Sequence, residues 1–125
     1  MILGIGADLC RVERMEKSLA SPAFWKNVFG QGERQLLEGL PPHRRAESAA
    51  ACFAAKEAFL KAAGLGLGGL PLASIQTLRR ESGEPYYCLE GPAAALLEEK
   101  GATALLSLSH EGGLALAFAL LQSRE

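Results

Sequence analysis

The feature that most constrains the fold is an alanine-rich segment from about His43 to Ala63, which contains no glycine or proline. Because alanine has the highest helix propensity, this segment predicts one long helix. Pro41-Pro42 ends the segment before it, and the glycine-dense loop Gly64–Pro71 follows it. A chain of 125 residues has the usual size of one domain with a modest core. We therefore expect residues 1–125 to form a single domain around this helix.

Short apolar runs separated by turn residues predict the other elements. Ile2 to Ala7 form a continuous apolar run, which predicts a buried strand. Ser82-Gly83-Glu84 and His110 to Gly113 each separate two strand-like runs, which predicts two hairpins. Shorter helices are predicted before the long one and again before Gly101, a typical helix-ending residue. The order β, α, α, α, β, β, α, β, β predicts an α+β domain, with a mostly antiparallel sheet packed around the long helix.

Composition excludes several classes of protein. The formal net charge is −1, so nothing global favours nucleic acid or a membrane surface as partner. Asp8 interrupts the apolar start of the chain, which disfavours a signal peptide, and no run approaches the roughly 20 apolar residues of a membrane span. Cys10, Cys52 and Cys88 are odd in number and widely spaced, which disfavours disulfides and a zinc site. We expect a protein of the reducing cytoplasm.

Charged residues near the end of the long helix are candidates for chemistry. Glu57 and Lys61 are four residues apart and share a helix face. They could be an ordinary exposed ion pair, which contributes little stability. Directly after them, Gly64 and Gly66 offer backbone amides that can approach a phosphate closely. The residues therefore allow both a solvated helix face and a phosphate site.

Asp8, the only aspartate in the chain, also has two interpretations. Between a strand and a helix it could be an N-cap, accepting hydrogen bonds from the first helical turn. At the end of a buried strand it could instead bind magnesium, which takes one or two protein carboxylates and leaves positions for water and substrate phosphates. Glu57 would supply the second carboxylate.

Two further groups of residues have affinity for anions. His43, Arg44 and Arg45 open the long helix, where cations oppose the helix dipole, so an anionic ligand would explain them. His110, beside Ser109 at a strand end, could be an exposed turn residue or a donor to a phosphate oxygen. The chain has no G-x-S-x-G, P-loop lysine or H-E-x-x-H motif. An enzyme without its own nucleophile fits a reaction in which the partner supplies one.

At this point the sequence resembles a known family. IGADLCRVER resembles the G-x-D-x-x-x-x-x-R opening of holo-acyl-carrier-protein synthases, and FAAKEAFLKAAG resembles their F-x-x-K-E-A-x-x-K-x-x-G signature. The GEP turn and the segment LSLSHEGGLALAFAL resemble the family's closing segments. These four matches occur in order over nearly the whole chain.

The resemblance implies the 4'-phosphopantetheinyl transferase fold, a homotrimer, and coenzyme A bound between neighbouring subunits. It implies that Asp8 and Glu57 hold Mg²⁺ and are catalytic, with Lys61 near the diphosphate. Family members often have an arginine where this chain has Cys52, and Arg44 and Arg45 would have to compensate. The residues that we expect to bind coenzyme A are His43, Arg44, Arg45, Lys61, Gly64, Gly66, Ser109 and His110.

The expected reaction is transfer of 4'-phosphopantetheine from coenzyme A to a serine of an apo acyl carrier protein, in fatty acid biosynthesis. A metal-bound water, Glu57 or Asp8 could take the serine proton. Two other functions fit the residues: a carrier-docking module without turnover, and a metal-dependent phosphohydrolase that needs no carrier.

Carrier proteins of this kind are acidic, so we expect a cationic and apolar docking surface. Arg14 is its expected centre, with Arg11 and Lys17 about one turn away on the same helix face. Phe24 and Trp25 extend this surface, unless they belong to the core.

Overall fold

The computed structural model describes residues 1–125. It has five strands, five helices and a short 3-10 helix, and its mixed, antiparallel architecture confirms the predicted α+β class. The strands are β1 (Ile2–Arg11), β2 (Ile75–Arg79), β3 (Pro85–Leu89), β4 (Ala102–Glu111) and β5 (Leu114–Ser123). The helices are α1 (Val12–Ser18), α2 (Pro22–Val28), α3 (Gln31–Glu38), α4 (Pro42–Ala62) and α5 (Gly91–Lys100), and the 3-10 helix covers Leu72–Ser74.

Four helices separate β1 from β2, one more than the predicted order contains. The predicted order counts too few helices, but Ser21-Pro22 in the sequence does predict the restart that separates α1 from α2, and the structure confirms it. The Ser21 hydroxyl accepts a hydrogen bond from the Phe24 amide at 3.2 Å, and Pro22 occupies the first helical turn. This is the usual chemistry of a helix N-terminus.

Two antiparallel sheets are present, in the strand orders β1-β5-β4 and β2-β3. Both predicted hairpins are therefore confirmed. Gly112 and Gly113, with φ angles of 59° and 80°, form the tight turn between β4 and β5. Two consecutive positive φ angles match the right-handed twist of the paired strands.

Helix α4 packs across one face of the three-stranded sheet, and the contact depends on small residues. Ala50, Ala54 and Ala58 are fully buried on the helix. On β1, a Cβ atom at Gly6 would overlap the carbonyl oxygen of Ala58, and one at Gly4 would overlap that of Ala62. Strand and helix backbones therefore approach more closely than side chains allow, which fixes the position of β1 along α4.

The opposite face of this sheet is uncovered, so the prediction of a fully buried first strand is wrong. Gly6 and Cys10 face α4 and are buried, whereas Ile5 and Leu9 are each 59% exposed. The strand alternates because α4 covers only one side. The other apolar side chains exposed on this face are Leu105, Leu114, Leu116 and Phe118.

Large side chains fill the space between α4 and its other neighbours. Phe29, Leu37 and Phe59 are fully buried, and the Tyr87 hydroxyl donates a hydrogen bond to the Ala55 carbonyl. Burial raises the pKa of Tyr87, so the phenol is neutral. None of the helices combines the length and the apolar character that crossing a bilayer requires.

Candidate active site

Asp8 and Glu57 come together where β1 crosses α4. Asp8 lies within β1, and Arg11 is the residue that precedes α1, so the N-cap interpretation of Asp8 is wrong. Burial and the adjacent Asp8 carboxylate raise the pKa of Glu57 to about 7. Two carboxyl groups that share a site disfavour joint ionisation in this way. The pair therefore attracts a cation.

Lys61 lies one turn beyond Glu57 on α4 and pairs with Asp8. Its ammonium group donates to Asp8 Oδ1 at 3.2 Å and to the Ala7 carbonyl at 2.9 Å. The ion pair of Lys61 is therefore with Asp8 rather than with Glu57. The Lys61 side chain is 56% exposed, so its flexible stem can also present the charge to a ligand beside the carboxylates.

The two carboxylates fit a hard divalent cation. Asp8 Oδ2 is buried and has no hydrogen-bond partner, an arrangement that costs free energy unless a ligand satisfies the oxygen. No cluster of three or more potential metal-binding side chains occurs in the chain. The donor set is thus two carboxylates, which suits Mg²⁺ because this ion retains water and takes substrate phosphate oxygens.

The glycine loop that follows Lys61 is open to a ligand. Gly64 and Gly68 have φ angles of 76° and 88°, which favour glycine, and no atom would contact a Cβ at Gly64, Gly66 or Gly68. The amides of Gly66, Leu67 and Gly68 donate no hydrogen bond within the chain. The loop therefore offers free N–H groups directly after the end of α4, the helix that carries Glu57 and Lys61.

Arg44 and His110 meet in a separate cavity of about 400 Å³, which does not include Asp8 or Glu57. Arg79, which the sequence analysis missed, adds a second guanidinium group to its lining. Side chains two residues apart on a strand point to the same face, so Arg79 lies on the same face of β2 as the buried Thr77. This alternation is the signal that could have indicated Arg79. Leu36, Leu40, Glu47, Ser48, Ala51 and Gly83 complete the lining.

The basic cluster at the start of α4 is divided between two sides of the helix. Only Arg44 reaches the cavity that contains His110. Arg45 instead donates to the carbonyls of Leu37 at 3.0 Å and Leu40 at 2.9 Å, and so caps the end of α3. His43 is exposed and lies 3.8 Å from Glu47. Helical rotation separates these consecutive side chains by about 100° each.

Cys52, the departure from the family pattern, lies in the core. Its thiol contacts the Thr77 carbonyl at 3.9 Å, and burial raises its pKa. The thiol is therefore neutral and brings no positive charge to the cavity. Ser109 lies one residue before His110 and on the uncovered face of the sheet, with Leu116 of β5 as its cross-strand partner.

The expected docking residues form two surfaces. Arg14 and Lys17 of α1 line one depression of about 500 Å³ together with Arg11. Arg11 ends β1, so the prediction that all three share a helix face is wrong for this residue, although the three charges lie together. Phe24 and Trp25 are half-buried and pack against the core, with ring centroids 5.9 Å and 5.6 Å from that of Phe29. Part of each aromatic ring is left for a partner.

Comparisons with known proteins agree with this geometry. Residues 4–119 match the model of the 4'-phosphopantetheinyl transferase superfamily. The holo-[acyl-carrier-protein] synthase of Treponema denticola is 38% identical, over 98% of this chain and 99% of the relative. The acyl carrier protein synthase of Plasmodium yoelii, solved with ADP bound, superposes with a TM-score of 0.89 at 32% identity, covering 100% of this chain and 98% of that one.

A second solved structure is the holo-(acyl-carrier-protein) synthase of Bacillus anthracis in complex with CoA (3',5'-ADP). It has a TM-score of 0.84 and 32% identity, over 98% of each chain. Sequence, fold and the paired carboxylates lead to one assignment. The chain belongs to the holo-acyl-carrier-protein synthases of the 4'-phosphopantetheinyl transferase superfamily and is an enzyme of that family.

Proposed function

We propose that this enzyme transfers the 4'-phosphopantetheine group of coenzyme A to a serine hydroxyl of an apo acyl carrier protein. The observation that carries the proposal is the cluster of Asp8, Glu57 and Lys61, and the free backbone amides of the loop that follows the same helix support it. Such a cluster can bind and polarise a diphosphate. The products are the holo carrier protein and adenosine 3',5'-bisphosphate, and we propose fatty acid biosynthesis as the pathway.

The carrier serine is the nucleophile in this proposal, because the chain offers none at the site. Cys10 and Cys52 are buried, and burial raises the pKa of both thiols. The serine oxygen forms a bond to the phosphorus that bears pantetheine, and the bond from this phosphorus to the diphosphate bridging oxygen breaks. The proton passes to Asp8, Glu57 or a water at the site.

We propose that Asp8 and Glu57 hold Mg²⁺. The unpartnered Asp8 Oδ2 and the raised pKa of Glu57 support this assignment, since they describe a buried oxygen without a hydrogen-bond partner and a partly buried carboxyl group beside a second carboxylate. When bound, the ion supplies charge that offsets the diphosphate and polarises the phosphorus. Lys61, at the edge of the pair, offsets charge on the departing adenosine bisphosphate.

The cavity that Arg44 shares with His110 suits the phosphorylated nucleoside end of coenzyme A. Arg44 forms no ion pair within the chain, and Arg79 donates only to the Gly83 carbonyl at 3.0 Å. Leu36 and Leu40 supply an apolar wall on which a base can pack. His43 and Arg45 remain proposed coenzyme A ligands from the family resemblance alone. Neither side chain lines this cavity, since Arg45 contacts the end of α3 and His43 lies near Glu47.

We propose a homotrimer with its sites between subunits. The uncovered sheet face supports an assembly, because large apolar side chains such as Leu9, Leu116 and Phe118 are 40% or more exposed there. Contiguous apolar surface of this kind marks an interface. Ser109 on the same face would then contact a coenzyme A held by the neighbouring subunit.

The proposed carrier-binding residues are Arg14, Phe24 and Trp25. Arg14 lies with two further cations in one depression, and both aromatic rings are partly exposed. We propose the cytoplasm as the location, which three free cysteines support.

Product analysis tests the proposal directly. The enzyme should release adenosine 3',5'-bisphosphate from coenzyme A and magnesium only when apo carrier protein is present. Release of free phosphopantetheine without a carrier would indicate a phosphohydrolase instead. Carrier binding by calorimetry without magnesium-dependent binding of coenzyme A would indicate a docking module.

A further inference from the structure

The most deeply buried charges in the chain lie outside the site already described. Lys56 and Glu33 have no exposed side-chain surface, and they form an ion pair in the interior. Burying two charges costs several kcal/mol per ion before their attraction is counted, so an interior pair is weak support for a purely stabilising role. The position of this pair indicates what else it does.

Every polar atom of the pair has a partner, and the partners come from separate segments. Lys56 on α4 donates to the carbonyls of Leu72 at 3.1 Å and Ile75 at 2.6 Å. Glu33 on α3 accepts from the amides of Gly30 at 3.0 Å and Thr77 at 2.9 Å. The pair thus ties α4 to α3, to β2 and to the 3-10 helix that follows the glycine loop.

The bond to Leu72 matters because of where the glycine loop begins and ends. At its start, the Leu65 amide donates to the Leu60 carbonyl of α4 at 2.8 Å. At its end, the Leu72 carbonyl is held by Lys56 of the same helix. Between these two anchors, the only backbone hydrogen bond joins the Gly69 amide to the Gly66 carbonyl at 3.0 Å. A loop so poor in internal bonds depends on its anchors for its shape.

We propose that the Lys56–Glu33 pair positions the glycine loop for the coenzyme A diphosphate by fastening the far end of the loop to the helix that bears Glu57 and Lys61. This inference rests on the proposed function, because it assigns the loop amides to that substrate. Lys56 is a positioning residue, since it is fully buried and cannot touch the substrate itself. Without the bond to Leu72, the loop amides lose their fixed place at the end of α4, and substrate binding must order them again.

The test replaces both charges together, because a single substitution would leave a buried charge unpaired. In the Glu33→Gln/Lys56→Met double variant the side chains keep similar volumes, and the donor to Leu72 is lost. Leu121→Ala is the matched control, since it opens a cavity in the core at a buried β5 position and leaves the pair intact. Amide hydrogen exchange and transfer kinetics are measured on both.

The double variant should exchange the Leu65, Gly69 and Ser74 amides faster, while the α4 amides keep their protection. Its Michaelis constant for coenzyme A should rise about tenfold, the factor of a lost positioning hydrogen bond, and that for the carrier should stay within about twofold. Unchanged exchange and an unchanged Michaelis constant for coenzyme A would overturn the proposal. If Leu121→Ala showed the same increases in amide exchange and in the Michaelis constant for coenzyme A, the proposal would also be overturned.

Hydrogen exchange separates this inference from the proposed function. If the wild type transfers nothing, the proposed function fails, and the exchange of the loop anchors still decides whether the pair fastens the loop. If the double variant does not fold, the wild type still provides a test. The Ser74 amide donates to the Pro71 carbonyl at 3.0 Å beside the anchored Leu72, and it should exchange as slowly as the buried part of α4. Fast exchange of Ser74 against a slow helix would contradict the proposal.

Discussion

Lys61 Nζ lies 3.2 Å from Asp8 Oδ1, while the other oxygen of the same carboxylate is buried and has no partner. One side of Asp8 is thus neutralised by the chain, and the other side is left for a cation. Glu57, on the same helix as Lys61, supplies the second carboxylate beside Asp8. This division of roles explains why an aspartate, a glutamate and a lysine suffice for a site without a third acidic residue.

The close contact of β1 with α4 predicts that Gly6→Ala damages both stability and activity. The added Cβ would overlap the Ala58 carbonyl oxygen, so the strand must move away and carry Asp8 from Glu57. Overpacking of a core typically costs about 1–3 kcal/mol, and a backbone obstacle places this variant at the upper end.

Chemical denaturation and transfer assays measure the effect of Gly6→Ala. Gly39→Ala is the control, because its nearest atom would be an ordinary 3.5 Å away and its φ angle of −78° suits any residue. A stable and fully active Gly6→Ala variant would refute the claim that this contact positions Asp8.

Two consecutive arginines should behave differently when each is replaced by alanine. Arg44→Ala should raise the Michaelis constant for coenzyme A about tenfold and leave stability unchanged, since Arg44 is exposed in the cavity. Arg45→Ala should lower the free energy of unfolding by about 1–2 kcal/mol, because the carbonyls at the end of α3 lose a charged donor. The same pattern in both variants would contradict the division of the basic cluster.

How much of the fold and of the site the sequence predicts depends on how far apart in the chain the interacting residues lie. Helix α4 and the turn at Gly112-Gly113 follow from local propensity, and both were predicted. The burial of Lys56 was not, because its partners come from Glu33, Leu72 and Ile75, which are distant in sequence. The exposure of β1 was also missed, since a strand covered on both faces and a strand covered on one face can have the same apolar composition.

The raised pKa of Glu57 predicts how stability of the metal-free protein changes with pH. The folded-state pKa is about 7 against an ordinary 4.5, with burial as the first cause. Below the lower value the carboxyl group is protonated in both states. Between the two values the unfolded chain loses the proton and the folded chain keeps it, so the Glu57 contribution to stability falls as pH rises and levels off above 7.

Urea denaturation at about pH 5 and about pH 8 checks this dependence. The wild type should lose more stability between the two conditions than Glu57→Gln, which cannot titrate at this position. Parallel losses in both proteins would show that Glu57 keeps an ordinary pKa.

Docking of the carrier should depend on the cations of α1. Arg14→Glu should raise the Michaelis constant for the carrier about tenfold and leave that for coenzyme A almost unchanged. The carrier constant of the wild type should also rise with salt, because exposed charges are screened beyond about 10 Å at 0.1 M.

Arg80→Glu is the matched control for docking. It makes the same change of charge at the β2–β3 hairpin, where Arg80 stacks on Tyr86. Equal effects of the two variants on the carrier constant would remove α1 from the docking surface.

The central claim is that Asp8 and Glu57 form the metal-binding centre of a phosphopantetheine transfer site, and mass spectrometry of the carrier protein tests it most directly. With coenzyme A and magnesium, the wild type should add the mass of one phosphopantetheine to an apo carrier. Glu57→Gln should add none while it keeps the fold, as circular dichroism will check. An exposed Glu57 without this role would contribute only about 0.3–0.5 kcal/mol of stability and no activity. Near-normal mass gain with Glu57→Gln, or no gain with the wild type across several carriers, would contradict the account.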